Sequence, residues 1–322
     1  MYHNLSAKSQ GIFWAIITCF LVSVMIAIVR HLADDFHPFQ IVMMRNFFAL
    51  IFLLPFIINK AEEIVKTQHI KLHLVRGFVG LVGMALWFYI ITLIPLSEAV
   101  AITFIVPIVT TLAAMWFLKE KVNSKIWISL IIGFIGVLII VRPGFREFKP
   151  AYFLALLVPF IWSISNITTK KLVVTERPGT ITLYLSLIIF ILSIPLSAPY
   201  LTAVPVIDLV WFLLLGLISN GCYMASAICY SKADISAVQP FDFSRLLFTA
   251  IIAYFAFGEQ MDLFTFVGAA VILLGSLMVT NKSPLHYLYS GFAEGNIIPK
   301  SKIFFANLLI FIKKFKEIRW KK

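Results

Sequence analysis

Ten apolar runs, each long enough to cross about 30 Å of hydrocarbon as a helix, follow one another along this chain with short polar breaks between them. They cover roughly residues 11–29, 38–58, 74–94, 98–118, 126–141, 151–169, 179–198, 208–230, 235–257 and 262–280. In lipid every backbone N–H and C=O must be paired inside the protein, so only helices and closed barrels can span. Runs this long and uniformly apolar are not the short alternating segments of a barrel. The expected fold class is therefore all-α integral membrane. Composition excludes a soluble domain: 61% of the 322 residues are hydrophobic and 13% charged, against about 45–50% and about 25% in soluble proteins. The first run, from Gly11 to Val29, is too long for the core of a cleaved signal and is expected to stay as a spanning helix.

The net charge of +12 is distributed as a topology signal, not as a nucleic-acid face. Counting alternate connections without the C-terminal tail puts 12 Lys and Arg on the side of the N-terminus and four on the other. Both termini are thus expected in the cytoplasm, with the protein in the cytoplasmic (inner) membrane. The stretch 282–322 ends in Lys313, Lys314, Lys316, Arg319, Lys321 and Lys322 behind an apolar run too short to span. It reads as a basic interfacial helix held at anionic lipid. Cys19, Cys222 and Cys229 fall inside apolar runs and show neither metal nor disulfide spacing, so they are expected to fill space.

A displacement of 139 residues lays Ser97 on Ser236, Glu120 on Glu259 and Gly136 on Gly275. The chain therefore reads as two five-helix repeats, 11–141 and 151–281. Five is odd, so the second repeat must cross the membrane in the opposite sense to the first, which gives inverted-topology repeats. Glycines at spacings near three or seven, such as Gly77, Gly80 and Gly83, or Gly133 and Gly136, mark faces where helices approach closely. Arg142-Pro143-Gly144 is expected to end the fifth helix with a left-handed glycine.

Ionisable groups inside apolar runs are costly, at about 2.5–3.5 kcal/mol each even on insertion scales, and need a compensating role. Asp242 and Arg245 sit three apart in the ninth run and share a helix face, so they form either a structural ion pair or part of a polar cavity. Arg45 in the second run has no counterpart in the second repeat and is expected either to pair with an acid of the first or ninth helix or to meet substrate. Trp87, Trp162 and Tyr223 offer rings for stacking on a planar or cationic ligand, and Asn166 needs hydrogen-bond partners at its depth. Glu98 suits a helix N-terminus. Glu120 and Glu259 are expected to fix the turns that follow the fourth and ninth helices.

Two five-helix units, each with a glutamate closing its fourth helix in Phe117-Leu118-Lys119-Glu120 and Ala256-Phe257-Gly258-Glu259, resemble the EamA family of the drug/metabolite transporter superfamily. Pro107, Trp162-Ser163-Ile164-Ser165-Asn166 and the segment from Pro240 to Glu259 carry the same likeness. The resemblance covers about residues 11–281 and implies ten helices, both termini inside, and export or import of amino acids, S-adenosylmethionine, nucleosides and other metabolites without ATP. In general layout the chain is most similar to the S-adenosylmethionine uptake group. The resemblance also implies that helices 1, 3, 4, 6, 8 and 9 surround a central cavity, which favours Trp87, Trp162, Asn166 and Tyr223 as substrate contacts.

The function expected is secondary active or facilitative transport of a small polar metabolite, with protons as a candidate coupling ion through Asp242. No phosphate-binding loop, cofactor motif or metal spacing is present in the sequence. One alternative is a membrane-embedded enzyme acting on lipid, for which His31, Asp34, Asp35 and His37 form the one cluster of suitable side chains. Another is a nonenzymatic scaffold subunit.

Overall fold

The computed structural model describes residues 6–59, 65–94, 96–142, 150–258 and 262–279. The tail 282–322, Glu259, the Pro143-Gly144 pair and the Glu98 side chain lie outside the described residues. Ten spanning units follow: α1 (Ala7–Leu32), α2 (Pro38–Asn59), α3 (Ile70–Leu93), α4 in two pieces (Leu96–Thr103 and Val106–Phe117) and α5 (Ser124–Val141). The second five are α6 (Ala151–Leu172), α7 (Pro178–Ser197), α8 (Val206–Lys232), α9 and α10 (Leu263–Leu277). Within α9 a short turn, Ile235–Val238, leads through the 3-10 segment Gln239–Phe243 into Ser244–Phe257. Among the described residues, nine helices are long and apolar enough to cross a membrane, and α10 is a shorter apolar tenth.

The two repeats interdigitate. The most extensive contacts come in mirror pairs, α1 on α8 with α6 on α3, α2 on α8 with α7 on α3, and α1 on α9 with α6 on α4, while α2–α7 and α5–α10 close the molecule on its own pseudo-twofold axis. Local geometry repeats with similar fidelity. Asn123 and Asp262, 139 apart, cap α5 and α10 by accepting from the N–H groups of Ile126 and Thr265. Lys119 and Gly258 both leave their fourth helix at positive φ, 56° and 70°. A Cβ on Gly77 would lie 2.4 Å from Ile188, and one on Gly216 would lie 2.7 Å from Phe48, the corresponding pair on the other side of the axis. In both turns after the first helix of a repeat, the residue four beyond a leucine donates back to it, Phe36 to Leu32 and Glu176 to Leu172.

Two features go beyond the expectations. α5 ends at Arg142, which itself sits in the left-handed region at φ 45°; the expected glycine, Gly144, lies outside the described residues. Arg142 is held there by an ion pair with Asp262 and by the Phe264 ring 4.7 Å below its guanidinium, contacts that replace the freedom a glycine would supply. Glu120 also does more than close a turn. Its carboxylate accepts from the N–H of Ile235 and of Ser236, each at 2.9 Å, and from the Ser236 hydroxyl at 2.7 Å, so it caps the start of α9 and ties the two halves together. Glu120→Ala strands these donors and is expected to cost about 1–3 kcal/mol, read as a fall in the thermal midpoint in detergent, with Glu120→Gln intermediate.

Candidate functional site

Both fourth helices break at the same level. In α4 the interruption falls at Phe104 and Ile105, just before Pro107, whose missing N–H and fixed φ favour a new helix start. In α9 it falls at the 3-10 segment ending in Phe243. Phe104 and Phe243, 139 apart, stack across the axis with ring centroids 6.2 Å apart. Carbonyls freed by a break cannot be left bare at this depth. In α9 they are met by side chains: Ser276 donates to Pro240 O at 3.3 Å, Cys19 to Phe241 O at 3.4 Å and Ser23 to Arg245 O at 2.9 Å, while the Ser244 hydroxyl returns to Phe241 O.

Beside the breaks lies a cavity of about 310 Å³. Asp242 and Arg245 face it as an ion pair at 3.6 Å, partly exposed at 31% and 19%. The Arg245 guanidinium also sits 5.0 Å over the Phe104 ring. Trp162 and Asn166 enter from α6, with the Asn166 amide donating to Thr110 at 3.4 Å and Thr110 paired in turn with Ser163 at 2.8 Å. Tyr223 and Arg45 complete the sequence-derived candidates on the cavity wall. Trp87 does not line it. It packs behind Trp162, ring centroids 6.1 Å apart, in the cluster that joins α3 to α6.

Three further corrections concern the wall. Arg76, one of the 12 basic residues of the topology count, is only 4% exposed and lines the cavity, because α3 begins at Ile70 and places it in the second turn. Arg45 faces no carboxylate: its one hydrogen-bond contact among the described residues is the Met25 sulfur at 4.0 Å. The wall also extends beyond the six expected helices, since α2 contributes Arg45 and α7 contributes Leu185 and Ile189. The buried cysteines Cys19, Cys222 and Cys229 line it as well. An arginine one turn before Gly80 on an otherwise small-residue face was the available signal for Arg76.

The mirror contacts at the two ends of the bundle differ in chemistry. At the face opposite the lysines, Phe36 in the α1–α2 turn meets Phe212 of α8 edge to face, centroids 5.2 Å apart. At the face where Lys8, Lys121, Lys170 and Lys232 cluster, the corresponding positions are Glu176 and His73, joined at 2.5 Å and almost fully buried. Burial pushes the Glu176 carboxyl up, but hydrogen bonds from Thr67 and His73 outweigh it and hold it below the usual carboxylate range.

The cluster that supported the enzyme alternative is dispersed. His31 lies edge-on to Trp211 and His37 stacks on Tyr200 at 3.7 Å, while Asp34 and Asp35 are exposed. Among the described residues no group of His, Cys, Asp and Glu could hold a metal ion.

A duplicated, inverted helical bundle with a polar cavity at two broken helices defines the class of membrane carriers. The EamA-like transporter family pattern matches residues 9–142 and again 149–281, and the chain belongs to that family of transporters, which are not enzymes. It is 29% identical over 281 residues to the S-adenosylmethionine uptake transporter of Rickettsia bellii, covering 87% of this chain and 96% of that one. It is 27% identical over 277 residues to the riboflavin transporter of Vibrio cholerae, covering 84% and 93%, and 31% identical over 233 residues to that of Rhizobium johnstonii, covering 72% and 77%. A solved structure shares the fold with a TM-score of 0.74 at 15% identity, over 84% of this chain and 96% of the other.

Proposed function

We propose that this protein is a secondary carrier that moves a small polar organic metabolite, of the size class of S-adenosylmethionine, riboflavin or an amino acid, across the cytoplasmic membrane by alternating access. The observation that carries the reading is the Asp242–Arg245 pair at the α9 break, facing the cavity on the pseudo-twofold axis. Two nearly equivalent halves can exchange conformations at little cost, so a site on their axis can face either side in turn. The lysine-rich face is the cytoplasmic one by the charge rule, which places both termini inside. The driving force is a solute gradient, exchange, or a proton carried on Asp242.

The test is uptake of labelled S-adenosylmethionine, riboflavin and amino acids by the purified protein in liposomes. Asp242→Asn keeps the shape and removes the charge, and is expected to lower uptake at least tenfold while leaving the thermal midpoint within a few degrees. Wild-type uptake that collapses with a protonophore assigns proton coupling; uptake indifferent to it leaves exchange or facilitated diffusion. If neither these solutes nor their phosphate- or carboxylate-bearing counterparts enter above empty liposomes, or if Asp242→Asn transports like wild type, the reading fails.

A further inference from the structure

The charges on the cavity wall do not balance. Among the described residues, Arg45, Arg76 and Arg245 face it against one carboxylate, Asp242, and that carboxylate is already paired with Arg245. Arg45 and Arg76 are 5% and 4% exposed. Arg45 leaves both Nε and Nη2 without a partner, and Arg76 donates through Nη1 to the Ile181 carbonyl at 3.0 Å but leaves Nε unused. A buried guanidinium with idle donors and no counter-charge is strongly unfavourable unless something else supplies the charge.

Neither arginine is demanded by the fold. Their mirror positions are occupied by leucines, Leu185 opposite Arg45 at a displacement of 140 and Leu215 opposite Arg76 at 139. Those leucines pack in the interior without charge. By helix rise, Arg76 lies about 9 Å in from the lysine-rich end of α3, and Arg45 lies about 10 Å in from the other end of the bundle. The two idle cations thus lie at different depths, Arg76 near the level of Asp242, which is about 10 Å in from the start of α9 at Ile235, and Arg45 nearer the other end.

We propose that Arg45 and Arg76 are two anion-receiving positions at different depths of this cavity, and that the transported molecule presents a carboxylate or phosphate to at least one of them and carries net negative charge. Guanidinium forks suit the paired oxygens of both groups. The inference rests on the carrier reading for its word "transported", but the binding site stands on the buried donors alone. Of its relatives' named substrates, S-adenosylmethionine presents one carboxylate but carries net positive charge, and riboflavin carries neither group.

The experiment uses the full chain in detergent with matched probes: riboflavin against riboflavin 5′-phosphate, adenosine against adenosine 5′-monophosphate, and inorganic phosphate against chloride at equal ionic strength. The expected result is that at least one phosphate-bearing probe raises the wild-type thermal midpoint by several degrees and binds at least tenfold more tightly than its neutral partner. Arg45→Gln and Arg76→Gln should each reduce that preference to within about threefold, and Arg45→Lys should retain most of it. A variant that fails to yield monodisperse protein is replaced by the corresponding Leu, the residue its mirror position already tolerates. The proposal is overturned if no phosphate-bearing probe stabilises the wild type, if neutral and charged partners bind alike, or if the Gln variants keep the preference. Uptake separates the two readings: neutral or cationic solutes carried normally by Arg45→Gln would sink the subsite and leave the carrier standing, whereas anion binding without any uptake would do the reverse.

Discussion

Adding one methyl group at the crossing of α5 and α10 is expected to cost this protein about 3 kcal/mol or more, the upper end of what overpacking does. A Cβ on Gly136 would fall 2.9 Å from the Gly268 carbonyl oxygen and 3.0 Å from the Ile272 nitrogen; one on Gly268 would fall 2.7 Å from the Gly136 carbonyl and 2.4 Å from Ile140. Side-chain atoms can rotate away, but the facing backbone cannot move without opening the seam that closes the bundle on its axis. Gly275 sits against the Gly133 nitrogen in the same seam, and the Ser129 hydroxyl donates across it to the Gly275 carbonyl, so a shift at one level is felt along the crossing. In lipid the helices gain nothing from burying apolar area against each other, and close packing is the main source of their association. Gly136→Ala and Gly268→Ala should therefore each lower the thermal midpoint sharply and reduce the monodisperse fraction. Ile272→Val combined with Gly136→Ala should recover only part of the loss, because the carbonyl contact remains. Gly179→Ala is the control: nothing lies within 4 Å of its Cβ, and in a helix it should gain up to about 1 kcal/mol. Equal tolerance at Gly136 and Gly179 would refute the account.

The helices and the duplication were legible because they are one-dimensional signals. A spanning run announces itself by length and apolarity, and a repeat by matching residues such as Glu120 with Glu259 at a fixed displacement. Direction across a helix was not legible to the same degree. Trp87 and Trp162 look equivalent in sequence, yet Trp162 faces the cavity and Trp87 backs it, because hydropathy reports how polar a position is and not which neighbour it meets. Arg76 was lost near a boundary: two residues inside an expected start at 74 it reads as a topology charge at a helix end, whereas α3 begins at Ile70 and carries it into the interior. The partner of Glu120 lies more than a hundred residues away at Ser236, visible only once the halves are interleaved. Arg142 in the left-handed region violates a local preference that tertiary contacts to Asp262 and Phe264 override.

Glu176→Ala is expected to destabilise the protein by about 1–3 kcal/mol, since it removes one member of a buried hydrogen-bonded pair and leaves the other without its partner. The carboxylate accepts from Thr67 and from His73 Nε2, and the His73 ring is stacked on Tyr184 at 4.6 Å. Arg76 and His69 supply the remaining nearby charge from α3 and its N-cap. A carboxyl held below its usual value stabilises the fold fully above the unfolded pKa of about 4.3, and that contribution fades as pH falls through the lower folded value. The wild-type thermal midpoint should accordingly fall below about pH 4.5, and Glu176→Gln should flatten the fall while lowering the neutral-pH plateau. The pseudo-twofold axis provides a sharper test. The positions corresponding to Glu176 and His73 hold Phe36 and Phe212, which close the other face by packing alone. Combining Glu176→Phe with His73→Phe copies that solution onto the lysine-rich face and should recover most of the stability lost by either single change, a coupling of at least about 1 kcal/mol in a double-mutant cycle. The double variant should also lose the acid sensitivity. If the two single losses simply add, the mirror relation between the closures is geometric only and carries no energetic equivalence.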